Sequence, residues 1–337
     1  MEINRACLAQ AGEAQSISTL FPLYFLLQKT HMKKISTLLL ALLLSVGAFA
    51  QSRKYMSQFS HLQGYFNPAL TAHEGSMVKG FVRNQWAGWD GAPRMNFVSV
   101  ELDFANLGES SELGKNAVGA NLLSDEYGAF SETELILSYA TRVHLGEETN
   151  LRLGAGVNFN SIRLDGSRLT TEQANDPILG QYLGGFTDMN IVDLNLGMSV
   201  IHPNYYASYA VHNINQGSIS GGDVFMDKKP RVGIAQAGYR NRFSENMTVI
   251  TNAMWRTQSD LPATVEFNMK VLFKDKFWVG GGHRVDYANN AQLGVLLGKL
   301  RFGYVYEWPM LKSYLIPNQT HEFMLSYRLF GGNTSIW

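Results

Sequence analysis

The chain reads as all-β: a single-chain transmembrane antiparallel β-barrel of about fourteen strands, behind a short N-terminal segment that is not part of the barrel. Three observations predict this. Apolar and polar residues alternate over stretches of about ten residues, the period of a strand with one apolar and one polar face. An export leader precedes these stretches, and no cysteine follows it. The composition is rich in glycine and aromatics (Gly 32, Phe 19, Tyr 15, Trp 6) and low in charge, at 17 % of 337 residues against roughly 25 % for an ordinary soluble protein.

The same arithmetic excludes several classes. Lys+Arg and Asp+Glu both number 28, so no sequence-wide positive field argues for nucleic acid. A hydrophobic fraction of 45 % is too high for a disordered chain. No stretch outside the first fifty residues approaches the ~20 apolar residues of a spanning helix.

Met32-Lys33-Lys34, the apolar run Ile35 to Val46 and Ala48-Phe49-Ala50 have the order of a secretory signal peptide, which places it at 32–50 with cleavage near Ala50/Gln51. Residues 1–31 precede a complete leader and read as mistranslated upstream sequence, with Met32 as the start. The single cysteine, Cys7, lies there, so the exported region has no disulfide and no thiolate ligand. Cleavage leaves a net charge of −2.

The next segment, 51–76, contains Gln58 to Ala69, which has little strand alternation and is too apolar for a free tail. It is expected to dock against the barrel lumen or a partner. The barrel is expected over 77–330, with a tail at 331–337. Leu151, Leu153, Ala155, Val157 and Phe159 alternate with Arg152, Gly154, Gly156, Asn158 and Asn160. Similar runs occupy 190–201, 262–273 and 299–308. Ten residues suit a tilted strand crossing a bilayer, whereas soluble strands usually have about five or six. Aromatics such as Phe104, Tyr139, Phe159, Phe273 and Trp308 stand where a barrel carries its girdles, and Arg152, Asp193, Glu266 and Lys270 would face inward. Counting gives strands near 77–86, 94–104, 116–124, 131–141, 150–160, 190–201, 204–213, 230–240, 246–256, 262–273, 276–286, 290–298, 299–308 and 320–330. With both barrel ends in the periplasm, the long connections 161–189, 214–229 and 309–319 all face outside. The link at 105–115 is longer than an inner turn usually is.

Catalytic and cofactor motifs are weak. His321-Glu322 lacks the second histidine of a zinc helix, and neighbours on a strand point to opposite faces. Gly280-Gly281-Gly282-His283 and Gly154-Ala155-Gly156 lead into no Lys-Ser/Thr, so they read as sites of close packing. No enzyme, catalytic residue, cofactor or metal site is expected. Arg83 and Gln85 share a face and would point inward, and Trp86 and Trp89 would mark the membrane interface.

Tyr65-Phe66-Asn67-Pro68-Ala69, then Arg83-x-Gln85-Trp86 with Gly91-Ala92-Pro93, then His321-Glu322-Phe323-Met324-Leu325-Ser326-Tyr327 resembles the PorP/SprF family of the type IX secretion system of Bacteroidota. The resemblance runs from about Gln51 to Phe330, and the tail after Phe330 departs from it. It implies an outer-membrane barrel of about fourteen strands that acts in protein secretion, gliding motility or both. Its implied partners are the type IX translocon, periplasmic ring proteins, secreted adhesins or other cargo with sorting domains, and outer-membrane lipid. On this resemblance, Asn67, Pro68, Arg83, Gln85, Trp86, Pro93, His321 and Glu322 are family-motif or partner-binding residues. The long outer loops would contact cargo, and the inner turns and the 58–70 segment periplasmic machinery. The rival reading is an outer-membrane pore for small solutes, because about fourteen strands enclose a lumen.

Overall fold

The structure, a computed structural model, describes residues 54–89, 91–107, 114–169, 185–223, 229–259, 261–310 and 319–331. The leader, the upstream stretch and the tail beyond 331 lie outside the described residues, as do parts of the long connections.

The strands are β1 (Met77–Gln85), β2 (Arg94–Asp103), β3 (Asn116–Tyr127), β4 (Phe130–His144), β5 (Asn150–Asp165), β6 (Phe186–His202), β7 (Tyr205–His212), β8 (Ile219–Gly222), β9 (Val232–Ser244), β10 (Met247–Gln258), β11 (Leu261–Phe273), β12 (Phe277–Arg284), β13 (Ala288–Leu297), β14 (Leu300–Pro309) and β15 (Thr320–Arg328). Neighbours pair antiparallel around a circuit in which β1 meets β15 and β5 meets β6, so fourteen strands close a barrel and β8 stands outside the count. Closure satisfies the backbone of every barrel strand without an edge. All fourteen expected strands are present. β8 is the addition: it pairs with Met189–Val192 of β6, above the point where β7 stops at Leu196. Its sequence, Ile-Ser-Gly-Gly, has no alternation to reveal it.

Three strands run furthest beyond what a bilayer requires, at 15, 16 and 17 residues. β4, β5 and β6 continue past the expected ends because Ile162, Met189 and Ile191 keep the alternation going and pack with Phe130 in a small cluster.

Around the barrel, side chains divide by parity. Outward residues are exposed apolar ones, with Phe267 at 50 % and Leu325 at 51 %. Such a belt is stable only against lipid. Inward residues include Arg152, Asp193, Glu266 and Lys270, all buried. The lumen is not uniformly polar, however. Phe81, Met95, Phe97, Leu123, Ile136, Met254 and Met324 also point inward and form the main apolar cluster with Met56, Phe59, Leu62, Tyr65 and Phe66.

Those last five belong to the segment before β1. Its short helical turns, Phe59–His61, Gln63–Phe66 and Pro68–Leu70, lie inside the barrel, and every residue from Met56 to Ser76 is buried. Lys54 sits by Glu132 and Arg256, at the end carrying the long connections; Ser76 meets Asp103 at the opposite end and leads into β1. The segment therefore passes once through the lumen. By the rule that barrels place long loops outside, the Lys54 end is the outer one.

Candidate functional site: the lumen and its internal segment

The first half of the segment is held by charge. On the β11–β15 and β1 side, inward residues two apart in sequence stack into rows, and the barrel register sets Arg83 opposite Glu322. Arg83 pairs with Glu322 and, at 2.8 Å, with Glu307. Arg284 bridges Glu266 at 2.9 Å and Glu307 at 3.1 Å. Into this array the segment inserts Ser57. Its N–H donates to Glu322 Oε1 (2.9 Å), its hydroxyl donates to Glu307 Oε2 (2.6 Å), and its carbonyl accepts from Asn268 Nδ2 (2.8 Å). The Gln58 N–H reaches Glu322 Oε2 at 3.2 Å. Lower down, Lys270 donates to Ser60 Oγ at 2.6 Å and lies 2.8 Å from His61 Nε2. Buried charges survive only when paired and hydrogen-bonded, and here the segment supplies part of that satisfaction.

The second half is held by shape. At Gly154 a Cβ would overlap the backbone nitrogen of Ala69, and at Gly197 it would overlap Oδ1 of Asn67. The wall is glycine where the segment presses closest. Asn67 caps the last helical turn, accepting from Ala69 N at 2.9 Å, and its Nδ2 donates to the Met198 carbonyl at 3.2 Å. Arg152 binds backbone rather than carboxylate: its Nε donates to Ala69 O at 2.8 Å and its Nη2 to Thr71 O at 2.5 Å. His212 Nε2 donates to Phe66 O (2.9 Å), and the Ala72 N–H donates to Glu101 Oε2 (2.7 Å). Arg301 Nη1 pairs with Glu74 Oε2 at 3.2 Å.

The motif residues therefore separate by position. Arg83 and Glu322 meet each other and the segment, while Gln85 accepts weakly from Arg83 at 3.4 Å. Asn67 and Pro68 are the segment's contact with β5 and β6. His321 points outward, away from Glu322, and contacts Tyr304 Oη at 2.8 Å. Trp86 and Pro93 belong to the outer β1–β2 turn, where Trp86 adopts a left-handed φ of 53° and the Pro93 carbonyl accepts from Gln85 N at 3.0 Å. The 58–70 stretch, which the resemblance assigned to periplasmic contacts, is enclosed by the wall. Arg284, Glu307, Glu132, Glu134 and Lys54 take part in holding the segment without having been singled out from sequence. For all but Lys54, which precedes the barrel, the one signal was charge on the inward parity of otherwise apolar-alternating strands. Among the described residues, no group of three His, Cys, Asp or Glu side chains is placed to hold a metal ion.

Residues 48–327 match the family model described as "Type IX secretion system membrane protein PorP/SprF". No curated protein matches the sequence. Among solved structures, the chain is similar to the toluene transporter TbuX of Ralstonia pickettii (12 % identity, 79 % of this chain and 92 % of that one, TM-score 0.46). It is also similar to the CymD monoaromatic hydrocarbon channel (10 %, 85 % and 95 %, 0.48) and to the toluene transporter TodX of Pseudomonas putida (9 %, 82 % and 94 %, 0.46). These likenesses are too remote to bear on function.

Proposed function

The chain belongs to the PorP/SprF family of type IX secretion system membrane proteins, and from that premise we propose that it is an outer-membrane binding platform for exported proteins with sorting domains and for the periplasmic secretion machinery. It acts by presenting surfaces, not by passing solute or catalysing a reaction. One observation carries this reading: the lumen is occupied by the chain's own segment, buried from Met56 to Ser76 and tied to the wall on opposite sides. A solute pore of this size needs a polar, water-filled passage. The space here instead contains an apolar cluster of Phe59, Leu62 and Phe66 with Phe81 and Phe97. The outer side supplies candidate contact area, because β4, β5 and β6 extend beyond the belt and exposed Trp89 sits on the β1–β2 turn. The inner side offers the short turns and the Phe104–Leu107 link.

The test is quantitative mass spectrometry of surface and spent-medium proteins from a strain lacking the gene. Loss of one or a few sorting-domain proteins, with small-solute uptake unchanged, is the expected result and names the cargo. An unchanged surface with altered permeability to small solutes would replace the platform by the pore.

A further inference from the structure

On the outward faces of β1, β2 and β3, the barrel register stacks side chains in rows that climb toward the outer rim. Gly80, Val98 and Leu122 form the lowest, Val82, Asn96 and Ser124 the next, and Asn84, Arg94 and Glu126 the uppermost. The face thus changes from apolar to charged over about 13 Å of strand. Both ends of the series are concave. Below, Gly80 leaves the wall bare between Val98 and Leu325, and Phe302 and Phe323 complete an apolar groove of about 440 Å³. A Cβ on Gly80 would meet nothing nearer than the Leu325 carbonyl oxygen, at 4.0 Å. Above, the β1–β2 turn bends over Arg94 through Gly88 and Gly91, both left-handed, and the Gly128 N–H reaches Gly91 O at 3.4 Å. The turn roofs a second hollow of about 440 Å³, lined by Asn84, Arg94, Glu126 and Arg168, with Trp89 on its lip.

The two hollows ask for different chemistry. Arg94 and Glu126 face each other in register, yet neither forms an ion pair among the described residues. Arg168 shares its charge with Asp165 at 3.3 Å. An unpaired guanidinium beside an unpaired carboxylate suits a small group carrying both signs: the guanidinium fork matches phosphate, and the carboxylate accepts from an ammonium. The volume is that of a small-ligand site. The groove beneath lies within the lipid-facing belt, where an acyl chain is the available filling. A free phosphate compound would use the upper hollow alone, and an unselected lipid the groove alone. Their stacking along the same three strands selects a molecule with both parts.

We propose that the outward face of β1–β3 binds an outer-leaflet phospholipid whose headgroup sets an ammonium beside its phosphate. An acyl chain lies over Gly80, the phosphate meets Arg94, the ammonium meets Glu126, and the turn carrying Trp89 covers the headgroup. This gives the Gly91-Ala92-Pro93 turn, which takes no part in holding the lumen segment, a role of its own. The site shares with the platform reading only the orientation of the barrel.

The experiment is native mass spectrometry of the full chain, extracted from the outer membrane into detergent, stripped of lipid and titrated with dioleoylphosphatidylethanolamine. One lipid per chain is expected to be retained at concentrations where neither dioleoylglycerol, which lacks the headgroup, nor O-phosphoethanolamine, which lacks the chains, is held. Gly80→Phe fills the groove and Arg94→Gln removes the guanidinium, and each should weaken retention about tenfold. Two controls leave retention unchanged: Ala253→Phe, in the separate lipid-facing groove over β9–β12, and Arg163→Gln, an exposed guanidinium at the outer end of β5. Barrel assembly is checked in each variant by heat-modifiable gel migration. Should Gly80→Phe or Arg94→Gln not assemble, Val98→Phe narrows the same groove, Glu126→Gln removes the ammonium's partner, and each carries the same expectation. Equal retention by wild type and the assembled site variants overturns the site and leaves unselected boundary lipid. Dioleoylglycerol held as well as the phospholipid overturns the headgroup hollow, and O-phosphoethanolamine held by itself overturns the acyl groove. None of these readouts involves cargo, so the lipid site and the platform reading fail separately.

Discussion

The two sides of the lumen hold the same segment by different physics. On the β11–β15 and β1 side, a lattice of Arg83, Arg284, Glu307 and Glu322 grips Ser57 and Gln58. On the β5 and β6 side, bare glycine backbone lets Asn67, Pro68 and Ala69 approach closely, and Arg152 binds the Ala69 and Thr71 carbonyls. Charge pairing fixes which residues must be present, while close approach fixes which atoms must be absent. The first side should therefore lose stability in measured steps as partners are removed. The second should fail at once when a side chain is added, because the atoms that would have to yield are backbone.

The largest effect is accordingly expected from Gly154→Val. The new Cβ meets Ala69 N and the Pro68 carbonyl carbon, with Ala69 Cα only 2.6 Å away, and no flexible side chain can swing aside. The segment cannot seat, and the heat-modifiable, protease-resistant barrel should disappear from the outer membrane. A Gly154→Val barrel that assembles normally would break the contrast between the two sides. Gly156 is the internal control: it lies two residues along β5 on the same inward face, but the nearest atom to a new Cβ there is the Leu137 carbonyl oxygen at 3.4 Å, so Gly156→Ala should assemble.

These two glycines also show how far the sequence can be read. Alternation places Gly154 on the polar, inward face beside Arg152, and all fourteen barrel strands follow from the same rule. It likewise sends Arg83 and Glu322 inward and His321 outward. What alternation does not contain is the identity of the neighbour across the lumen. That Gly154 faces Ala69, or that Ser57 meets Glu322 265 residues away, depends on tertiary closure. The Gln58–Ala69 stretch announces only that it is too apolar to stay in water. The same limit hid Glu132 and Glu134, because an inward charge reads alike whether it lines water or grips a plug.

On the charged side, Glu322→Ala should cost about 3–5 kcal/mol, the range for removing one partner of a buried ion pair. It removes one of Arg83's two carboxylate partners and strands the Ser57 and Gln58 N–H groups. The barrel should still form, with a lower unfolding midpoint in detergent. If Glu322→Ala abolishes assembly as Gly154→Val does, the two sides do not differ in kind. Glu322→Gln removes the charge and keeps one acceptor oxygen, so it should fall between wild type and alanine. A smaller loss, about 1 kcal/mol, is expected from Asn67→Ala, which removes a helix cap and the bond to Met198 O but no charge.

The smallest effect is expected outside the lumen, and it tests whether enclosure, and not ion pairing itself, gives the charged side its strength. Arg242 and Asp275 form a pair as short as those inside, at 2.6 Å, but their side chains are 57 % and 46 % exposed on an inner turn. Water screens both charges, and the long arginine loses rotamer freedom to hold the contact. Arg242→Ala should therefore change the unfolding midpoint by no more than about 0–1 kcal/mol. Raising the salt concentration should erase even that difference, while leaving the Glu322→Ala deficit largely intact, since screening acts on exposed pairs far more than on buried ones. A salt-resistant loss at Arg242 comparable to that at Glu322 would mean that the lumen confers no special strength on its ion pairs, and that the grip on Ser57 comes from the hydrogen bonds alone.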